Sequence, residues 1–132
     1  MANILIVEDE LLIAKNLTRK LKKVGYTIIA VVSSGAEAIA IVNSNKPDLI
    51  LMDIAIKGDL DGIETMAKIK EIDDIPAIYL TAYADDKTVE RAAQTGCYGY
   101  LLKPFKEKEL SATIKMVLTR HRLEISAIED NK

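Results

Sequence analysis

The chain predicts an α/β fold, a doubly wound parallel sheet of five strands with helices on both faces. Three observations carry that prediction. Short apolar runs, Ile4-Leu5-Ile6-Val7, Leu49-Ile50-Leu51-Met52, Ile78-Tyr79-Leu80 and Tyr100-Leu101-Leu102, lack polar alternation, as expected of strands buried on both faces. Longer segments with apolar residues at helical spacing lie between them, giving five βα units in series with right-handed crossovers. Polar residues stand where the runs end: Glu8 and Asp9, Asp53, Thr81, and Lys103 ahead of Pro104. In such a sheet the carboxyl edge is the binding edge.

The first strand, residues 3–7, runs into the acidic turn Glu8-Asp9-Glu10. Leu11, Ala14, Leu17, Leu21 and Val24 then recur at helical spacing until Gly25 stops the helix. A second strand covers residues 26–32. Ser33-Ser34-Gly35 opens a helix through Ala36, Ile39, Ala40 and Val42, and residues 43–47 are turn-rich. The third strand ends on Asp53, and the stretch 54–62, with Gly58, Asp59, Asp61 and Gly62, is a loop at the binding edge. A third helix spans 63–72 and Pro76 leads the fourth strand to Thr81. Asp85 or Asp86 caps a fourth helix that ends at Gly96, and the fifth strand follows to Leu102. After Lys103-Pro104-Phe105 a fifth helix covers 106–122, with Leu110, Ile114, Val117 and Leu118 inward.

At 132 residues the length fits one domain, which would bury roughly two-thirds of the surface of its unfolded chain. The domain is expected to span 1–122, with 123–132 a C-terminal tail that either extends the last helix or serves as a linker. Eighteen basic against 20 acidic residues leave a net charge of -2, which gives no basic surface for nucleic acid. The first residues are too short and carry too little basic charge for a signal peptide, and no apolar run approaches the roughly 20 residues of a membrane span, so a cytoplasmic location is expected. Cys97 is the only cysteine, which excludes an intrachain disulfide and a cysteine-rich zinc site; it reads as a small buried residue. His121, the only histidine, reads as a solvated or capping residue between Arg120 and Arg122.

Carboxylates about 4 Å apart repel by roughly 4 kcal/mol at an effective dielectric near 20, so gathering Glu8, Asp9 and Asp53 needs a compensating charge. A hard divalent cation with oxygen ligands supplies it, and magnesium, which takes one or two carboxylates and shares phosphate oxygens, suits the set better than zinc. A carboxylate at the end of a central strand is also a nucleophile toward phosphorus. Asp53 fits that role, with Lys103 and the Thr81 hydroxyl placed to neutralise or hydrogen-bond a phosphoryl group.

Together, Ile6-Val7-Glu8-Asp9-Glu10, Leu51-Met52-Asp53, Leu80-Thr81-Ala82 and Leu102-Lys103-Pro104-Phe105 closely resemble the receiver domain of two-component response regulators, over residues 2–122. The resemblance implies a flavodoxin-like sheet of strand order 2-1-3-4-5. It implies that Asp53 accepts a phosphoryl group from a histidine kinase or phosphotransfer protein. Asp9 would bind Mg2+ directly, Glu8 mostly through water, and the backbone carbonyl of Ala55 would join Asp53 among the ligands. Lys103 would pair with the phosphoryl oxygens, and Lys103-Pro104 would be a cis peptide. Thr81 and Tyr100 match the family's switch pair. Signalling would then pass through the face of helix 4, strand 5 and helix 5 to an output domain or a downstream protein, and the chain could also form a homodimer.

Two departures stand out. The 54–62 loop lacks the proline that many relatives carry and is one residue longer, and Cys97-Tyr98-Gly99-Tyr100 lacks the acidic pair of one branch's dimer face. Ala55 and Tyr83 occupy positions that tune dephosphorylation in the family. A receiver-like scaffold without phosphoryl transfer is the alternative function, opposed by the intact set Glu8, Asp9, Thr81 and Lys103. A phosphatase would want a second acid two residues after Asp53, where Ala55 stands. Beyond Arg122, Leu123, Ile125, Ala127 and Ile128 nearly continue the helical stripe, a candidate dimer or linker seam, while 130–132 have the composition of a frayed end.

Overall fold

A computed structural model describes residues 2–130. Strands and helices alternate along them as β1 (Asn3–Val7), α1 (Leu11–Val24), β2 (Thr27–Val32), α2 (Gly35–Ser44), β3 (Leu49–Asp53), α3 (Gly62–Ile72), β4 (Ala77–Thr81), α4 (Asp86–Gln94), β5 (Gly99–Leu102) and α5 (Glu107–Asp130). The strands form one parallel sheet in the order 2-1-3-4-5. This is the doubly wound sheet expected of the alternating pattern, in the flavodoxin-like order that the resemblance implied.

Successive side chains on a strand point to opposite faces, so continuous apolar runs build two cores at once. On one face Leu5, Val7, Ile50, Met52 and Tyr79 meet Ala38 and Val42 of α2, Met66 and Ile69 of α3, and Ala92 of α4. On the other, Ile4, Ile6, Leu51, Ile78 and Leu80 meet Leu17 and Leu21 of α1 and Leu110, Ile114 and Val117 of α5. β3 and β4 are buried along their whole length. Tyr100-Leu101-Leu102 departs from the expectation of two buried faces: β5 is an edge strand, only Leu101 is in the core, and Leu102 is 46% exposed.

Turn chemistry sets the helix ends. Gly25 adopts φ 107 and closes α1, Ser34 Oγ accepts from the Glu37 amide at 3.3 Å, and Asp85 caps α4 by accepting from the Thr88 amide at 3.1 Å. Asp61 and Glu64 form a reciprocal capping box, which starts α3 one residue earlier than expected. α4 stops at Gln94, two residues ahead of Gly96. α5 passes Arg122. With neither glycine nor proline to interrupt it, the helix runs to Asp130, so 123–130 extend the last helix, one of the two readings of that tail; Asn131 and Lys132 lie outside the described residues.

Two side chains differ from their reading. Cys97 is only partly buried, because it precedes an edge strand and packs on the rim of the core. His121 is neither solvated nor a cap: its Nε2 lies 3.2 Å from Asp74 Oδ2, its ring meets Tyr98 edge-on, and its side chain is 13% exposed. No helix among the described residues is long and apolar enough to cross a membrane.

Candidate functional site

The strand registers align one edge of the sheet. Val7 pairs with Met52, Asp53 with Leu80, and Thr81 with Leu102, so the residues at or just beyond these ends, Glu8, Asp53, Thr81 and Lys103, stand in a row. Glu8, Asp53 and Thr81 are 2%, 4% and 1% exposed, unusual burial for polar side chains. Lys103 leans over them, its Nζ 2.6 Å from Glu8 Oε1 and 3.4 Å from Asp53 Oδ2. Asp9 is half-buried beside them, and carboxylate oxygens of Glu8, Asp9 and Asp53 lie within 4.8 Å of one another.

Crowding and desolvation set the charge state. Burial, then the hydrogen bond and charge of Glu8, push the Asp53 carboxyl up to about 7, against the opposing pull of Lys103. Burial also works against the Glu8 charge, but hydrogen bonds with Asp53 and Lys103 outweigh it and hold Glu8 below the usual carboxylate range. Lys103 is pushed up: its burial opposes the charge, and the Glu8 hydrogen bond with the Asp53 charge overcomes that opposition. Without a cation the edge therefore holds one ammonium between a charged Glu8 and an Asp53 that keeps its proton to near neutrality.

The donor set fits magnesium. Six oxygens at about 2.1 Å place neighbouring ligands roughly 3 Å and opposite ligands about 4.2 Å apart, and the three carboxylates need only a small inward movement to meet that spacing. All three donors are hard oxygens, and the chain's one histidine and one cysteine lie elsewhere. Ala55, named for its carbonyl, contributes a further contact: its N–H donates to Asp53 Oδ1 at 3.3 Å.

The loop after Asp53 bridges outward at Lys57 to Ser34, turns at Gly58 with φ 99, and returns so that the Gly62 N–H donates to the Ile54 carbonyl at 2.8 Å. A Cβ on Gly62 would stand 2.2 Å from the Asp53 carbonyl oxygen. Only glycine lets the start of α3 back against the strand end that presents Asp53. The sequence reading placed Gly62 in a loop without that role; Asp61-Gly62 directly ahead of an apolar helix was the available signal.

Thr81 and Tyr100 meet at one residue. The Tyr83 N–H donates to Thr81 Oγ1 at 3.1 Å, and the Tyr100 hydroxyl donates to the Tyr83 carbonyl at 2.6 Å. Behind them, the hydroxyl of fully buried Tyr79 hydrogen-bonds Thr95 Oγ1 at 2.7 Å, and Arg91 Nη2 of α4 pairs with Asp61 Oδ2 at 2.7 Å. The peptide between Lys103 and Pro104 is cis.

Residues 4–115 match the family model described as "Response regulator receiver domain". The transcriptional regulatory protein PdtaR of Mycobacterium tuberculosis is 37% identical over 126 residues, covering 96% of this chain and 60% of PdtaR. YvrH of Bacillus subtilis, also a transcriptional regulatory protein, is 40% identical over 119 residues, 90% of this chain and 50% of YvrH. The chain thus spans half to three-fifths of the length of these relatives. Among solved structures, the signal receiver domain of a modulated diguanylate cyclase from Desulfovibrio desulfuricans G20 superimposes with a TM-score of 0.88 at 35% identity, over 94% of this chain and 98% of that one.

Proposed function

The chain belongs to the response regulator receiver domain family, the phosphorylation-dependent signalling modules of two-component systems, and on that premise we propose that Asp53 is its phosphoacceptor. One observation carries the reading: Asp53 sits buried at the end of the central strand, with Lys103 Nζ 3.4 Å from its carboxylate and the Glu8 and Asp9 carboxylates gathered beside it. An Asp53 carboxylate oxygen attacks phosphorus, the bond from phosphorus to the donor's imidazole nitrogen breaks, and its electron pair leaves with the imidazole. Lys103 remains to pair with the phosphoryl oxygens, and the Ala55 N–H orients the attacking carboxylate. Glu8, Asp9, Asp53 and the Ala55 carbonyl would hold Mg2+, which would supply positive charge favouring an ionised Asp53.

The donor is a histidine kinase or phosphotransfer protein of the cytoplasm. Exposed Leu11 and Leu12 at the start of α1, directly after the acidic turn, offer it apolar ground beside the site. The response is a population shift. A phosphoryl group on Asp53 draws the Thr81 hydroxyl, the contact between Thr81 and the Tyr83 N–H is given up, and the segment whose carbonyl holds Tyr100 rearranges with it. The face of α4, β5 and α5 then presents a new surface to an output domain or downstream protein.

Intact mass after incubation with Mg2+ and acetyl phosphate tests the chemistry. A gain of one phosphoryl group that requires Mg2+ and disappears in Asp53→Asn is the expected result. No gain in a folded, Mg2+-binding chain, together with no conformational response to beryllofluoride, would sink the reading in favour of a phosphorylation-independent scaffold.

A further inference from the structure

Among the described residues the largest fully buried side chain is Tyr79, a group that the phosphoacceptor chemistry does not use. It stands midway along β4 and pairs across the sheet with Tyr100 of β5. Both rings pack in the core beneath α4, their centroids 6.4 Å apart. The Tyr79 hydroxyl makes one hydrogen bond, with Thr95 Oγ1 at 2.7 Å. A second bond fixes its direction: Thr95 Oγ1 gives its only hydrogen to the Ala92 carbonyl at 2.6 Å, so Tyr79 donates and Thr95 accepts. Burial pushes the phenol above its ordinary value, which keeps the proton that this bond needs. Thr95 is the C-cap residue of α4, the helix that buries Ala92 alone. One phenolic O–H therefore ties the end of that helix to the centre of the sheet.

The two ends of the bond are unequal. Thr95 is half-buried, so water replaces Tyr79 at its oxygen when α4 shifts, whereas the phenol is left unpaired in an apolar cluster. An unpaired buried donor carries its full desolvation cost. The pair of Arg91 with Asp61 lacks this asymmetry, because both side chains are partly exposed and water can replace either partner. From this difference we propose that the Tyr79 hydroxyl is a brake on the switch: its bond to Thr95 holds α4 in the unphosphorylated arrangement, and the phosphorylated arrangement is reached only by giving that bond up. The inference rests on the switching role proposed above for Thr81 and Tyr100. Tyr100 supplies the force, since its ring, displaced toward the core, meets Tyr79 first. A contact present in one of two states biases their equilibrium against the other. Removing it strengthens, by the same factor, any ligand that selects the second state. Tyr79 thus sets how strongly the phosphoryl group must act, not where it binds.

Titration of the full chain with beryllofluoride in Mg2+, followed by the amide NMR shifts of α4 and β5, tests the brake. Tyr79→Phe keeps the ring and removes the hydroxyl, and should lower the titration midpoint about fivefold. Thr95→Val removes the acceptor and should lower it to the same extent. The double variant should go no further than either single one, because all three lack the same bond. Thr95→Ser keeps a hydroxyl and should titrate as the native chain does. Chemical denaturation verifies that each variant is folded. A Tyr79 that only fills the core would lower the denaturation midpoint and leave the titration unmoved. That outcome, a double variant that adds the two single effects, or Thr95→Ser behaving as Thr95→Val would overturn the inference and leave Asp53 as the phosphoacceptor. A native chain that takes neither beryllofluoride nor a phosphoryl group fails at the earlier reading, and the brake falls with it.

Discussion

Helices α3 and α4 flank the same site and are held by opposite means. α3 buries Gly62, Ile63, Thr65, Met66 and Ile69 and is locked at its start by the Asp61 and Glu64 capping box. α4 buries Ala92 alone, and its position rests on two polar contacts, Arg91 to Asp61 and Thr95 to the Tyr79 hydroxyl. Apolar packing over a broad face allows one arrangement, whereas hydrogen bonds can be exchanged for others at little net cost. On the reading proposed above, α3 would hold Asp53 still and α4 would be the element free to answer it.

The most damaging way to break this contrast is in α3. Met66→Ala should cost about 2–5 kcal/mol, read as a lowered midpoint in chemical denaturation, because the site is fully buried. Gly62→Ala should cost about 1–3 kcal/mol, and its Cβ should move the Asp53 carbonyl enough to slow phosphorylation by acetyl phosphate even where the fold survives.

Asp53→Asn should do the reverse and stabilise the chain in chelator. A folded carboxyl raised to about 7 from an ordinary value near 4 means the folded state binds more protons between those limits. The cost of ionising Asp53 is therefore absent below about pH 4, grows through the interval and is complete above 7. The mutant should gain on the order of 1–2 kcal/mol at pH 8 and nothing near pH 4. The lowered Glu8 works with the opposite sign, so the native chain alone would show a shallower profile. An equal gain at both pH values would contradict the assignment to Asp53.

The smallest effect belongs to α4. Arg91→Ala should change global stability by less than about 1 kcal/mol, since the pair is partly exposed, yet it should raise amide exchange in residues 86–94 while leaving 62–72 protected. Equal protection of both helices would erase the contrast.

The sheet and the site were legible in sequence for one reason: a parallel sheet delivers every strand end to the same edge, so Glu8, Asp53, Thr81 and Lys103 needed no distance information to be grouped. What stayed hidden depends on contacts between remote positions. The partner of His121 is 47 residues away, and that of Arg91 is 30. The role of Gly62 appears only once the long loop closes back on Ile54. Leu102 looked buried because an apolar run does not reveal whether a neighbouring strand covers it. The far end of α5 had the opposite difficulty, since a stripe of apolar residues looks the same whether it faces a core or runs past it.

Tyr83 joins Thr81 and Tyr100 through its backbone alone, while its ring stands 59% exposed. Wiring and lettering are therefore separate at this position. Descendants of the chain are free to rewrite the side chain, altering what approaches the site from solvent, without cutting the line between Thr81 and Tyr100. Proline is the exception. By removing the N–H it would sever one end of that line, and selection should exclude it from a position otherwise open to change.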